Sequence, residues 1–199
     1  MRRLGLRPLH VHRHEGRRRR LRDRHNRATF GLGHPAAQEV LPNVQRLLGV
    51  ARERGVFIVH AVERHHPGAL DGERNRIPVH CEIGSHDAEY TPSMEPRSTP
   101  TEIEVAKIRY SSFHATELDL MLRANNVSSV VIVGVKTNVC IRATAQDAFA
   151  LGYQVIVPSD ATNSNRPHLA AASLEDIGRY MGSTPTTAEV LKQLAGNHL

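Results

Sequence analysis

Lysine, cysteine and long apolar runs are all scarce in this chain of 199 residues. The longest apolar stretches, such as Val130 to Val135, are far shorter than the roughly 20 residues needed to cross a bilayer, so no membrane segment is expected. The arginine-rich amino terminus has no apolar segment behind it, so a secretory signal is not expected. The only cysteines, Cys81 and Cys140, lie far apart and outside any paired framework. That usage fits a reducing compartment without disulfides, and a cytoplasmic protein is the expectation. Lysine occurs three times against 23 arginines, and one of the three, Lys107, ends an apolar strand.

The net charge of +6 is unevenly spread. Residues 1–27 hold eleven arginines against Glu15 and Asp23, a local balance of +9, so the remaining residues carry −3. The high pI therefore belongs to an Arg/His-rich arm over residues 1–30, and residues 31–199 form a mildly acidic domain. Only the segment around Arg17 to Arg20 could contact an anionic surface. No Phe, Tyr or Trp interrupts residues 1–27, so the arm lacks stacking platforms for single strands, and nucleic-acid binding is not expected. The arm reads either as disordered or as translated from the wrong frame of a GC-rich gene.

From residue 34 onward helices alternate with strands in the manner of a parallel sheet covered on both faces. Pro35 to Arg54 reads as a helix with Val40, Val44, Leu47, Leu48 and Ala51 on one face, closed by Gly55. The strand Val56 to Val62 follows. The polar passage Glu63 to Pro100 is too long for an idle connection and is expected to form an active-site wall or a subunit contact. Next come a strand at Ile103 to Ile108, a helix at His114 to Asn126, the apolar strand ending at Val135, and a strand at Tyr153 to Val157. Helices are predicted at Pro167 to Tyr180 and Thr187 to Leu194, the second opened by a capping box at Thr186 and Glu189.

Within this pattern a tight turn, Gly134-Val135-Lys136-Thr137-Asn138-Val139-Cys140, delivers one cysteine to the start of a helix read over Val139 to Leu151. The amide dipoles of a first helical turn lower a thiol pKa from its usual value of about 8.5, so Cys140 is predicted to be a nucleophilic thiolate. The plain alternative is a small buried core thiol.

The turn, Lys107 followed by Tyr110-Ser111-Ser112-Phe113, and Asp160-Ala161-Thr162 together resemble the isochorismatase-like cysteine hydrolases over about residues 34 to 195. Within that family the pattern is most similar to amidohydrolases of ureido and carbamoyl compounds. The resemblance implies a three-layer α/β/α fold with a mainly parallel sheet, no cofactor, a small-molecule substrate and a homo-oligomer, dimeric or tetrameric. It also implies hydrolysis of a C–N bond through an acyl-enzyme on Cys140, with Lys107 stabilising the thiolate. A non-proline cis peptide would map onto Val135–Lys136, directing the backbone N–H groups of Lys136 and Cys140 toward the oxyanion. Tyr110, Phe113 and Thr137 would line the pocket.

One family element is missing. Members begin with an apolar strand ending in Asp-X-Gln, whose aspartate is the general base, and here the first strand is absent or altered. Asp23 is the only aspartate available and a poor match. Loss of that strand would uncover apolar surface and ladder groups on its neighbours. A catalytically impaired protein that keeps the pocket and binds a ligand is therefore the alternative. The nicotinamidase branch holds a divalent metal with an aspartate and histidines, but its Asp-X-His spacing is absent. No metal is expected, and His60, His65, His66, His80 and His86 read as exposed loop residues. Cys81 lacks the strand-turn-helix setting of a nucleophile. No histidine is placed to argue for a Cys-His peptidase pair.

Overall fold

Helical spacing of Val40, Val44 and Leu47 buries one face of α1 (Pro35–Glu53), which ends before Gly55 as predicted. The computed structural model describes residues 35–68 and 77–196; the arm and Asp23 lie outside the described residues. After α1 come β1 (Ile58–Glu63), β2 (Glu102–Lys107), α2 (Leu118–Ala124), β3 (Ser129–Val131), β4 (Gly134–Val135), α3 (Arg142–Ala150), β5 (Gln154–Ile156), β6 (Thr162–Asn163), α4 (Pro167–Tyr180), β7 (Gly182–Ser183) and α5 (Thr187–Ala195). Among the described residues every strand pairing is parallel: β1 with β2, β3 with β5, β5 with β7, and β4 with β6.

Two apolar clusters pack the helices on opposite sides of the strands. Val40, Val44 and Leu47 of α1 meet Val190 of α5 and Ile156 of β5 in one. In the other, Leu118 and Leu122 of α2, Ala145 and Ala148 of α3 and Ile177 of α4 surround Val105 and Val155. Successive strand residues point to opposite faces, so Val155 and Ile156 divide between the clusters and the three-layer α/β/α order follows. No helix among the described residues is long and apolar enough to cross a membrane.

Three local expectations are corrected. The run Val130 to Val135 is two strands: Gly134, at φ 110°, turns the chain, so β3 pairs with β5 while β4 pairs with β6. The helix predicted from His114 begins only at Leu118, because Ala115 at φ 55° is incompatible with an α-helix. The cysteine helix opens as a π-helical turn, Thr137–Ile141, ahead of α3.

The residues that would carry the expected first strand lie outside the described residues. Among the described residues β1 pairs only with β2, and β3 only with β5. Val59 and Val62 from β1 and Val130 and Ile132 from the β3 region line a cavity of about 790 Å³. Beside it, Glu102 at the start of β2 is buried and accepts hydrogen bonds from Arg52 of α1 at 2.5 Å and His60 of β1 at 2.7 Å. These contacts hold the first helix to the first strand pair.

Candidate active site

The parallel register of β1 and β2 pairs Glu63 with Lys107, the last residue of each strand. Both side chains enter the cavity, which Cys140 reaches from the π-helical turn. Lys107 Nζ donates to Glu63 Oε2 at 3.0 Å, to the Arg109 carbonyl at 3.1 Å and to Cys140 Sγ at 3.7 Å. An ammonium has three hydrogens, so these three acceptors fix its direction. The Cys140 thiol also lies 3.9 Å from Glu63 Oε2. Lys107 and Cys140 thus share one cavity, and a carboxylate joins them.

The Val135–Lys136 peptide is cis, as the resemblance implied. The Lys136 backbone lies beside the Cys140 sulfur and slightly favours its ionised form. Tyr110 and Phe113 line the cavity; Phe113 also stacks on Tyr153 with ring centroids 5.8 Å apart. Thr137 does not line it. Its side chain is fully buried, and its hydroxyl meets that of Thr162 at 2.9 Å, linking the turn to β6.

The electrostatics differ from the expected thiolate. Burial pushes the Cys140 thiol above its usual value; the Lys107 ammonium pulls it back, and the Glu63 charge pushes it up again. The helix-entrance argument omitted both the depth of the sulfur and the neighbouring anion. Lys107 keeps its proton firmly: burial alone would lower its pKa, but the charges of Cys140 and Glu63 raise it overall. Cys81, on the same cavity wall, is buried and pushed up to about 12 by burial and by the Glu63 and Asp87 charges. That agrees with its exclusion as a nucleophile.

Glu63 is the group that sequence reasoning missed as an active-site residue. Its Oε1 accepts from His80 Nε2 at 2.6 Å and from His65 Nε2 at 3.1 Å. Burial alone would raise its pKa, but the hydrogen bond from His80, the Lys107 charge and the His65 hydrogen bond hold it far below the usual carboxylate range. The histidines correct another expectation: His60, His65 and His80 are buried, while His66 and His86 are exposed as predicted. A usable signal was Glu63-Arg64-His65 with His80 seventeen residues beyond the carboxylate.

Ligand atoms of Glu63, His65 and His80 lie within 4.8 Å of one another, and a carboxylate with two imidazoles is a donor set that divalent metals accept. As they stand, these atoms are hydrogen-bonded to one another rather than spaced around an ion. Two ligands at roughly 2.0–2.1 Å from a tetrahedral ion stand roughly 3.3 Å apart. The 2.6 Å between Glu63 Oε1 and His80 Nε2 is instead the separation of a charge-assisted hydrogen bond. His80 Nδ1 also faces an acceptor, the Pro78 carbonyl at 2.8 Å.

A half-buried thiol, a buried ammonium and a carboxylate gather in one cavity at the carboxyl ends of parallel strands of an α/β fold. The profile described as "Isochorismatase domain" matches residues 22–190, and the chain belongs to the isochorismatase family of hydrolases. A ureidoacrylate amidohydrolase, RutB, from Enterobacter sp. (strain 638) is 31% identical over 80% of this chain and 77% of its own. A probable inactive nicotinamidase of Arabidopsis thaliana is also 31% identical, over 79% and 84%. The crystal structure of an isochorismatase-like hydrolase from Alkaliphilus metalliredigens aligns with a TM-score of 0.71 at 30% identity, covering 80% of this chain and 84% of that one.

Proposed function

We propose that this chain hydrolyses a C–N bond of a small amide, ureido or carbamoyl compound through a thioester on Cys140. The observation that carries this reading is the 3.7 Å contact between Lys107 Nζ and Cys140 Sγ inside one cavity. Sulfur attacks the substrate carbonyl, forming a C–S bond as the oxygen becomes an oxyanion. The ammonium stabilises the developing thiolate, and the backbone N–H groups of Lys136 and Cys140 receive the oxyanion. Collapse breaks the C–N bond, and water then cleaves the thioester. The similarity to a ureidoacrylate amidohydrolase supports the ureido class. Ammonia release from ureidoacrylate and N-carbamoylsarcosine tests the reading: turnover lost in Cys140→Ala is the expected result, and turnover unchanged by that substitution would sink it.

The second reading is a ligand-binding protein with impaired catalysis. It is favoured by the raised thiol pKa and by the relative named as a probable inactive nicotinamidase. Saturable binding of the same compounds by calorimetry, with no ammonia released, would establish it.

A further inference from the structure

The described residues contain a carboxylate where the chemistry needs one, on a different strand from the family's aspartate. We propose that Glu63 is the acid-base residue of this centre, accepting the Cys140 proton during attack and returning it to the leaving nitrogen. This rests on the hydrolytic reading above and names the residue that completes it.

The geometry is direct. Glu63 ends β1, in register with Lys107 at the end of β2, so the parallel pairing alone puts carboxylate and ammonium side by side. Oε2 lies 3.0 Å from Lys107 Nζ and 3.9 Å from Cys140 Sγ, and faces the reacting atom without an intermediary. Oε1 is held by His65 and His80, so the carboxylate cannot swing away from the sulfur. The charged and titratable groups around Glu63 are Lys107 of β2, Cys140 and Lys136 of the turn, and His65, His80 and Cys81 of the segment after β1. The three donors keep Glu63 ionised and weaken it as a base, so the proton moves to it only as the C–S bond forms. A carboxyl held this low retains a proton only in passing, so it becomes a strong acid toward the departing amine.

The proton balance closes. Cys140 S–H gives its proton to Glu63 as the C–S bond forms, and Glu63 gives it to nitrogen as the C–N bond breaks. In the second half Glu63 takes a proton from water as hydroxyl adds to the thioester. It then returns that proton to sulfur as the C–S bond breaks, leaving a carboxylic acid, or a carbamic acid from a ureido substrate.

The test uses the full chain and two readouts, one independent of substrate. Alkylation of Cys140 by iodoacetamide, followed across pH by peptide mass spectrometry, reports the ionisation of the thiol. Removing the negative charge in Glu63→Gln should move that midpoint down by about one pH unit. Hydrolysis of ureidoacrylate or N-carbamoylsarcosine should meanwhile fall by about 100-fold or more, with Glu63→Asp recovering part of it. A nucleophile that is more ionised yet slower at hydrolysis is a signature that mere loss of Lys107 positioning would not give, since that loss moves the midpoint up. An unchanged or raised midpoint, or hydrolysis within threefold of the parent, overturns the proposal. So does activity abolished by a chelator and restored by a divalent ion, which would make Glu63 a metal ligand. If the parent turns over neither compound, the hydrolytic reading fails for them, and the midpoint shift in Glu63→Gln still decides whether this carboxylate acts on the sulfur.

Discussion

Cys140 sits between charges of both signs, and each has a separable effect on it. In Lys107→Met the sulfur keeps its burial and its anionic neighbour but loses the ammonium 3.7 Å away. The alkylation midpoint should then rise by about one pH unit or more, opposite to the change expected for Glu63→Gln. The double variant should fall between the two. Cys140 and Lys107 were legible in the sequence because each carries a local mark: a Gly-X-X-Thr-Asn-X-Cys turn and a lysine closing an apolar strand. Glu63 carries no such mark. Its role depends on partners 44 and 77 residues away in the chain, brought together by strand register and by the turn. Thr137 shows the converse: its neighbours in the motif suggest a pocket residue, but its hydroxyl is needed to tie the turn to β6.

At the scale of elements, β7 lies with its backbone tight against β5. A Cβ on Gly182 would lie 2.1 Å from the Val155 carbonyl oxygen, on the central strand of its sheet. Gly182→Ala should therefore push β7 off β5 and lower stability by about 3 kcal/mol in urea denaturation. A milder change is expected at the other end of the α5 connection. Thr186 and Glu189 form the predicted capping box, and Thr186→Ala should cost about 1 kcal/mol by the same measurement. Helices α1, α4 and α5 were readable nearly to the residue because amphipathic spacing and capping are local properties. The division between β3 and β4 was not. An unbroken apolar run contains no sign of which neighbour each half will pair with, and only the positive φ of Gly134 separates them.

Across the whole molecule, buried carboxylates govern the response to acid. Burial alone would raise the Glu102 pKa, but hydrogen bonds from Arg52 and His60 take it from 4.5 to about 2, and Glu63 is held low by its own donors. A carboxylate whose folded pKa is depressed stabilises the fold above its unfolded pKa, and that contribution is lost as pH falls through the folded value. Thermal stability should therefore be nearly level above about pH 5 and fall steadily from there toward pH 2. Glu102→Gln should shrink the fall, as followed by circular dichroism melts.

Glu63 and Lys107 are strand-terminal residues, and Lys136 directly follows one, so the reactive groups are fastened to the sheet. Much of the far wall, including His80, Cys81 and Asp87, belongs instead to the connection between β1 and β2. Selectivity should thus be exchangeable without disturbing the chemistry. A chimera carrying residues 84–100 from a relative of different specificity should adopt the donor's substrate preference while retaining the alkylation midpoint of Cys140.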